Sequence, residues 1–200
     1  MDSGARASLP APPISPPRES SATLADCVTA VDCHIEKVLF SRLLSIYPHH
    51  KFVGEETTAE AGEVPITNDP TWTVDPVDGT NNFVHHHHFV SISIGLAINK
   101  EPVVGAIYLP ILDELYTGHG SSRDETVGSR MRSLTRLLLN KAHGGAGLES
   151  LRFSGAATSD MSMVAKGVAE IQWEIGMHAW DIAAASLIVT ESGGAVFDGA

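Results

Sequence analysis

The chain has little cysteine, little positive charge and no long apolar run. Two cysteines in 200 residues, Cys27 and Cys33, cannot make a disulfide framework, and on a shared helix they sit too far apart to bridge. Thirteen Lys plus Arg stand against 24 Asp plus Glu, a net charge of −11 with histidines neutral. So acidic a chain is repelled by nucleic-acid backbones and by anionic membrane surfaces, and neither is an expected partner. An anionic substrate would have to find its positive charge elsewhere, and a bound cation is the first suspect. The richest apolar run, Ile182 to Val189, is well short of the roughly 18 residues of a membrane span. The opening MDSGARASLP lacks the apolar stretch of a signal peptide. Its Ser and Arg suggest an organelle transit peptide, which Asp2, Glu19 and the prolines oppose. A reducing cytoplasm is the expected compartment.

What is present suffices for a core. The hydrophobic fraction is 43% and the charged fraction 18%, the balance of an ordinary soluble enzyme. Residues 1–22 carry five of the eleven prolines and read as a disordered, partly polyproline tail. Residues 23–200 read as one domain. Ile35, Val38, Leu39, Leu43 and Ile46 recur at helical spacing before Pro48, with Asp32 as the expected N-cap. Short strands fit Lys51–Val53 and Thr71–Val74. Val90 to Gly118 reads as a three-stranded meander with turns at Asn99–Pro102 and near Pro110. Helices are expected over Glu125–Asn140, Ala156–Lys166 and Trp180–Glu191, and a strand over Val168–Glu174. Trp72, Trp173 and Trp180 are expected core anchors. Mixed strands and helices indicate an α+β or layered α/β class.

Three acidic clusters fall where a strand ends or a helix begins, the places where such folds put functional groups. They are Gly54-Glu55-Glu56, Asp75-Pro76-Val77-Asp78-Gly79-Thr80 and Trp180-Asp181. Pro76 stiffens the link between the two aspartates, whose mutual repulsion a cation would relieve. All-oxygen ligands select Mg²⁺, Ca²⁺ or Mn²⁺ over zinc, and the Val77 carbonyl can join them. Gly79 admits close approach, and the amides of Gly79, Thr80 and Asn81 at a helix start suit a phosphate. Metal and phosphate sites in one turn imply metal-assisted phosphoryl chemistry. Each string alone also serves as a surface turn, a solvated loop or a helix cap; their conjunction favours the catalytic reading.

WTVDPVDGTNNFVH, WEIGMHAWDIAAASLIVTESGG and KFVGEE resemble the two signatures and the preceding metal-binding segment of the inositol monophosphatase family. These are Mg²⁺-dependent, Li⁺-sensitive phosphatases of layered αβαβα fold. The tight DGT-NFVH form resembles this family more than fructose bisphosphatases or nucleotide phosphatases. The resemblance implies Glu55, Asp75 and the Val77 carbonyl on a first Mg²⁺ and Asp75, Asp78 and Asp181 on a second, with two or three ions per site. Glu55 and Thr80 would position the attacking water, the Gly79 and Thr80 amides would hold the phosphate, and Asp78, Ala157 and Glu174 would meet the inositol hydroxyls. It also implies inositol 1-phosphate as substrate and a homodimer. His85–His88 stands where the family has a His-Arg-Phe-Pro-like stretch and reads as variable surface; His178 reads as a packing residue.

The chain also departs from the family pattern. The first helix and hairpin expected ahead of Val28 are replaced by the proline-rich tail. His119-Gly120-Ser121-Ser122-Arg123 follows Gly118 at once, as though strands were deleted near 118–119, and Ala200 falls where the family pattern continues into its closing strands. Missing strands and exposed sheet edges are therefore expected. Two alternatives follow: an inactive or poorly folded shortened form acting as a dimerisation partner, or a phosphatase for another small phosphate monoester.

Overall fold

The computed structural model of the protein describes residues 21–62, 64–120 and 152–197. Most of the expected tail and the helix expected over Glu125–Asn140 lie outside the described residues. In chain order the elements are α1 (Ser21–Ile46), β1 (Lys51–Gly54), α2 (Glu55–Ala61), β2 (Thr71–Asp78), α3 (Thr80–Val84), β3 (Ser91–Ile98), β4 (Glu101–Leu109), β5 (Glu114–His119), α4 (Ala157–Lys166) and α5 (Ala179–Glu191). The strands form one mixed sheet in the order β1-β2-β3-β4-β5. β1 runs parallel to β2 and the other pairs are antiparallel, so the expected meander is present.

Adjacent residues of a strand face opposite sides, and β2 shows what each side meets. Trp72 turns toward α1: its ring lies 5.5 Å from that of Tyr47, and its Nε1 donates to His50 Nδ1 at 3.1 Å. Thr73 turns toward α5. On that face Gly95, Gly105 and Gly118 stand beside one another in register on β3, β4 and β5, a lane with no side chains. The run Ala183-Ala184-Ala185 lies on it. A Cβ at Gly95 would come 2.9 Å from Ala183 Cβ, and one at Gly105 2.8 Å from the Ala184 carbonyl oxygen. Small residues on both sides bring helix backbone nearly onto sheet backbone. Beside the lane, Ile107, Leu109, Met161, Ala185, Ile188 and Val189 close the core.

β2 is longer than expected, running through Pro76 to Asp78 instead of ending at Val74. Asp75 pairs with Ser93 but Asp78 with Ser91, so β2 holds one extra residue there, a β-bulge. Three positions apart, the two aspartates of a regular strand would face opposite sides. The bulge restores the alternation and turns both toward α4 and α5. Pro76, with no N–H to give a ladder, sits inside it.

Three other expectations are corrected. Asp32 is not an N-cap, because α1 starts eleven residues earlier at Ser21; nothing between Ser21 and Tyr47 is Gly or Pro, so nothing stops the helix. The expected apolar stripe of α1 turns inward only in part: Ile35, Leu39 and Leu43 are half-buried, but none is as deep as the acids beside them. Val38 and Ile46 are 46% and 65% exposed, whereas Asp32 and Glu36 are buried, for a reason that lies at the site. Finally, Val168–Glu174 is not a strand. Gly167, at φ +79°, ends α4, and no neighbour among the described residues offers that segment a ladder. Trp173 within it is 75% exposed, while Trp72 and Trp180 are buried as expected.

Candidate functional site

The three acidic strings meet where β1, β2 and α5 come together. Glu55 is the first residue of α2, placed there by the end of β1. Asp75 is buried in β2, its Oδ1 accepting the Val77 N–H at 3.0 Å. Asp181 lies in the first turn of α5. Its Oδ2 takes the His178 N–H at 2.6 Å, while Ser93 Oγ donates to the Trp180 carbonyl at 3.1 Å and ties that turn to β3. The Asp75 carboxyl is within hydrogen-bonding reach of both Glu55 and Asp181.

So many acids in one place cannot all ionise cheaply. Burial first, then the charges of Asp78, Glu55 and Asp181, push the Asp75 carboxyl up to about 10. Glu55 is raised by burial, and Asp181, Glu56 and Asp78 push the same way against a hydrogen bond from Asp75. Asp181 is raised by burial too, opposed by the His178 N–H. The whole set facing Asp75 is oxygen and anionic, which fits a hard divalent cation and no softer one. Among the described residues no three His, Cys, Asp or Glu side chains stand in finished ligand geometry. Without a cation, neighbouring carboxyls instead share protons at hydrogen-bonding distance.

Asp78 is differently placed. The bulge turns it onto the N-terminus of α4, where Oδ1 accepts the Ala157 N–H at 3.2 Å and Oδ2 the Thr158 N–H at 2.7 Å. Ala157 therefore meets Asp78 through its backbone. Gly79 follows at φ +87°, a conformation that suits glycine alone here, because a Cβ would come 2.9 Å from both Ala156 Cβ and the Phe89 carbonyl. That kink starts α3 at Thr80, whose Oγ1 donates to the Val77 carbonyl at 3.2 Å; the carbonyl keeps a second lone pair. Asn82 fastens the far side, its Nδ2 donating to the carbonyls of Phe89 at 2.7 Å and Ser154 at 2.6 Å. Glu174 sits in the irregular segment before α5 and belongs to the same field: burial raises it first, then the charges of Asp78, Asp160 and Asp181.

Two carboxylates at the site were not read as site residues from the sequence. Asp32 is buried with Oδ1 unpartnered, and burial followed by the charges of Glu56 and Glu55 pushes it up to about 7. Glu36, one turn on, accepts the N–H groups of Glu56 and Thr57, each at 3.0 Å, and the Thr57 hydroxyl. It supplies the acceptor that the first turn of α2 lacks, which is why α1 buries acids here. The signal was an Asp and a Glu four positions apart, on one face of a helix. His178 stacks on Trp180 with centroids 4.6 Å apart. His85–His88 lies exposed beyond α3.

Comparison with known proteins bears on the family and the fold. The model of the inositol monophosphatase family matches residues 15–132 and 119–200. The inositol monophosphatase of Mesembryanthemum crystallinum is 41% identical over 86% of this chain and 73% of its own. Inositol monophosphatase 1 of Bos taurus is 38% identical over 87% and 72%. Among solved structures, inositol monophosphatase II of Staphylococcus aureus superposes with a TM-score of 0.67 at 26% identity, over 87% of this chain and 74% of that one.

Proposed function

Because the chain belongs to the inositol monophosphatase family of phosphoric monoester hydrolases, we propose that it hydrolyses inositol 1-phosphate to inositol and phosphate with the help of Mg²⁺. The observation that supports this most is that the buried Asp75 carboxyl lies within hydrogen-bonding reach of Glu55 and Asp181, where burial and the acids around it push it up to about 10. A cluster that costs the fold stability when empty suits a site whose working state includes a cation.

Glu55, Asp75, Asp181, Asp78 and the Val77 carbonyl are the groups that would hold two or three ions. Bound there, Mg²⁺ would supply positive charge to the phosphoryl oxygens and make water a stronger nucleophile. The chain's own groups do the rest. Glu55 and the Thr80 hydroxyl orient the attacking water from two sides. The amides of Gly79, just before α3, and of Thr80, its first residue, receive phosphate oxygens, since N–H groups at a helix start have no acceptor within the helix. Asp78, Glu174 and the α4 N-terminus at Ala157 face the alcohol portion and select for hydroxyls. A related small monoester would use the same phosphate end and differ only there.

Purified chain with Mg²⁺ should release inorganic phosphate from inositol 1-phosphate, and Asp75→Asn should reduce release below detection. A wild-type chain with no turnover on inositol 1-phosphate or on a panel of small phosphate monoesters would refute the reaction. A second reading, a subunit that needs a partner, is favoured by the exposure of Phe153, Trp173 and Ile175, each more than 70% accessible. A homodimer is proposed for the active enzyme too, so turnover by the purified chain alone, rather than its sedimentation, distinguishes the two readings.

A further inference from the structure

Behind Asp78 lies a group of hydroxyls for which the proposed reaction has no use. Ser91 opens β3 opposite Asp78, and Thr158 and Ser159 lie in the first turn of α4. All three are fully buried, and buried hydroxyls must find partners within the protein. They find one another. Ser91 Oγ stands 2.7 Å from Thr158 Oγ1 and 2.9 Å from Ser159 Oγ. Asp78 Oδ2 lies 2.5 Å from Thr158 Oγ1 and 3.2 Å from Ser91 Oγ.

Each hydroxyl has one proton to give. The shortest contact assigns that of Thr158 to Asp78; Ser91 then donates to Thr158, and Ser159 to Ser91. The three dipoles point the same way, and each strengthens the next. With the Thr158 N–H on the same oxygen, Oδ2 is fully engaged. Oδ1 receives only the Ala157 N–H at 3.2 Å and keeps one lone pair for a ligand.

We propose that Ser91, Thr158 and Ser159 are positioning residues that lock the Asp78 carboxylate and thereby set how tightly the site holds a divalent cation. This rests on the reading of Asp78 as a cation ligand given above. A carboxylate already fixed loses no rotamer freedom when an ion arrives, whereas one released to swing does. The contacts come from two elements, β3 and α4, so the lock also holds Asp78 at the junction between them.

Calorimetric titration with MgCl₂ tests this without turnover. Thr158→Val, which keeps the shape and removes the hydroxyl, is expected to weaken Mg²⁺ binding by about tenfold or more. Thr158→Ser should restore it to near the wild-type value, and Ser91→Ala should give an intermediate loss. In turnover assays the Mg²⁺ needed for half-maximal rate should rise, while kcat at saturating Mg²⁺ recovers. Metal-free melting is recorded alongside; should Thr158→Val fail to fold, Ser91→Ala carries the test. Wild-type Mg²⁺ affinity in a folded Thr158→Val or Ser91→Ala variant overturns the positioning role, even if the enzyme is active. A wild-type chain that hydrolyses nothing, yet binds Mg²⁺ about tenfold more tightly than Thr158→Val, overturns the reaction and supports the lock. A wild-type chain that binds no Mg²⁺ overturns both.

Discussion

Asp75 carries the sharpest consequence for a single side chain. Its ordinary value is 3.8 and its value in the metal-free fold is about 10. Between the two, the folded chain keeps a proton that the unfolded chain has released, so stability falls as pH rises. Asp32 adds to the same slope between 3.8 and about 7. The melting midpoint of metal-free protein should therefore fall steadily from about pH 5 to about pH 8, and saturating Mg²⁺ should flatten the decline. Asp75→Asn should remove much of the slope and raise the metal-free midpoint at neutral pH, even as it abolishes phosphate release. A metal-free wild-type midpoint that rises with pH would contradict the buried cluster. Asp75 and Asp78 were legible in the sequence because their string is compact. Asp32 and Glu36 were not, because a buried acid on a helix is written in the same letters as a solvated one.

Among the elements, α5 matters most, because it brings Asp181 to the sheet. Its seat depends on absent side chains. A Cβ at Gly105 would stand 2.8 Å from the Ala184 carbonyl oxygen and 2.9 Å from Ala184 Cα, both backbone atoms with no rotamer to yield. Gly105→Ala should therefore lift α5 at a cost of about 1–3 kcal/mol. The midpoint would drop by roughly 2–12 °C, and Mg²⁺ binding would weaken because Asp181 moves with the helix. Calorimetry and metal titration of the one variant check both. The meander was legible because β3 alternates and turn residues bound its strands, and α5 because an apolar run opens at Trp180-Asp181 and stops at Gly193-Gly194. The bulge in β2 was not: Pro76 suggested a turn, and only pairing with β3 shows the extra residue that brings both aspartates to one face. Val168–Glu174 failed for the opposite reason, since an extended, apolar-rich sequence makes a strand only where a neighbour completes its hydrogen bonds.

For the molecule as a whole, folding and cation binding should be one linked equilibrium. An ion that binds only the folded chain stabilises it by about 2.7 kcal/mol at a hundred times its Kd, which raises the midpoint by roughly 5–11 °C for a chain of this size. Scanning calorimetry with and without Mg²⁺ should show one cooperative transition that moves upward by that amount. A broad melt that Mg²⁺ leaves in place would sink the catalytic reading and favour the shortened, inactive alternative. The acidity that argued against nucleic acid and membranes is concentrated, at this site, into a demand for a cation.

The glycine lane also bears on which ion the site accepts. Asp75 belongs to the sheet and Asp181 to a helix resting on that sheet almost backbone to backbone. The spacing of the two main chains that carry these carboxylates is consequently set by backbone contact, with no side-chain layer to compress or spread. A frame so stiff should discriminate by ionic radius: in calorimetric titration Mg²⁺, which accepts short bonds and an octahedral arrangement, is expected to bind more tightly than Ca²⁺, whose longer bonds and higher coordination number need a wider site.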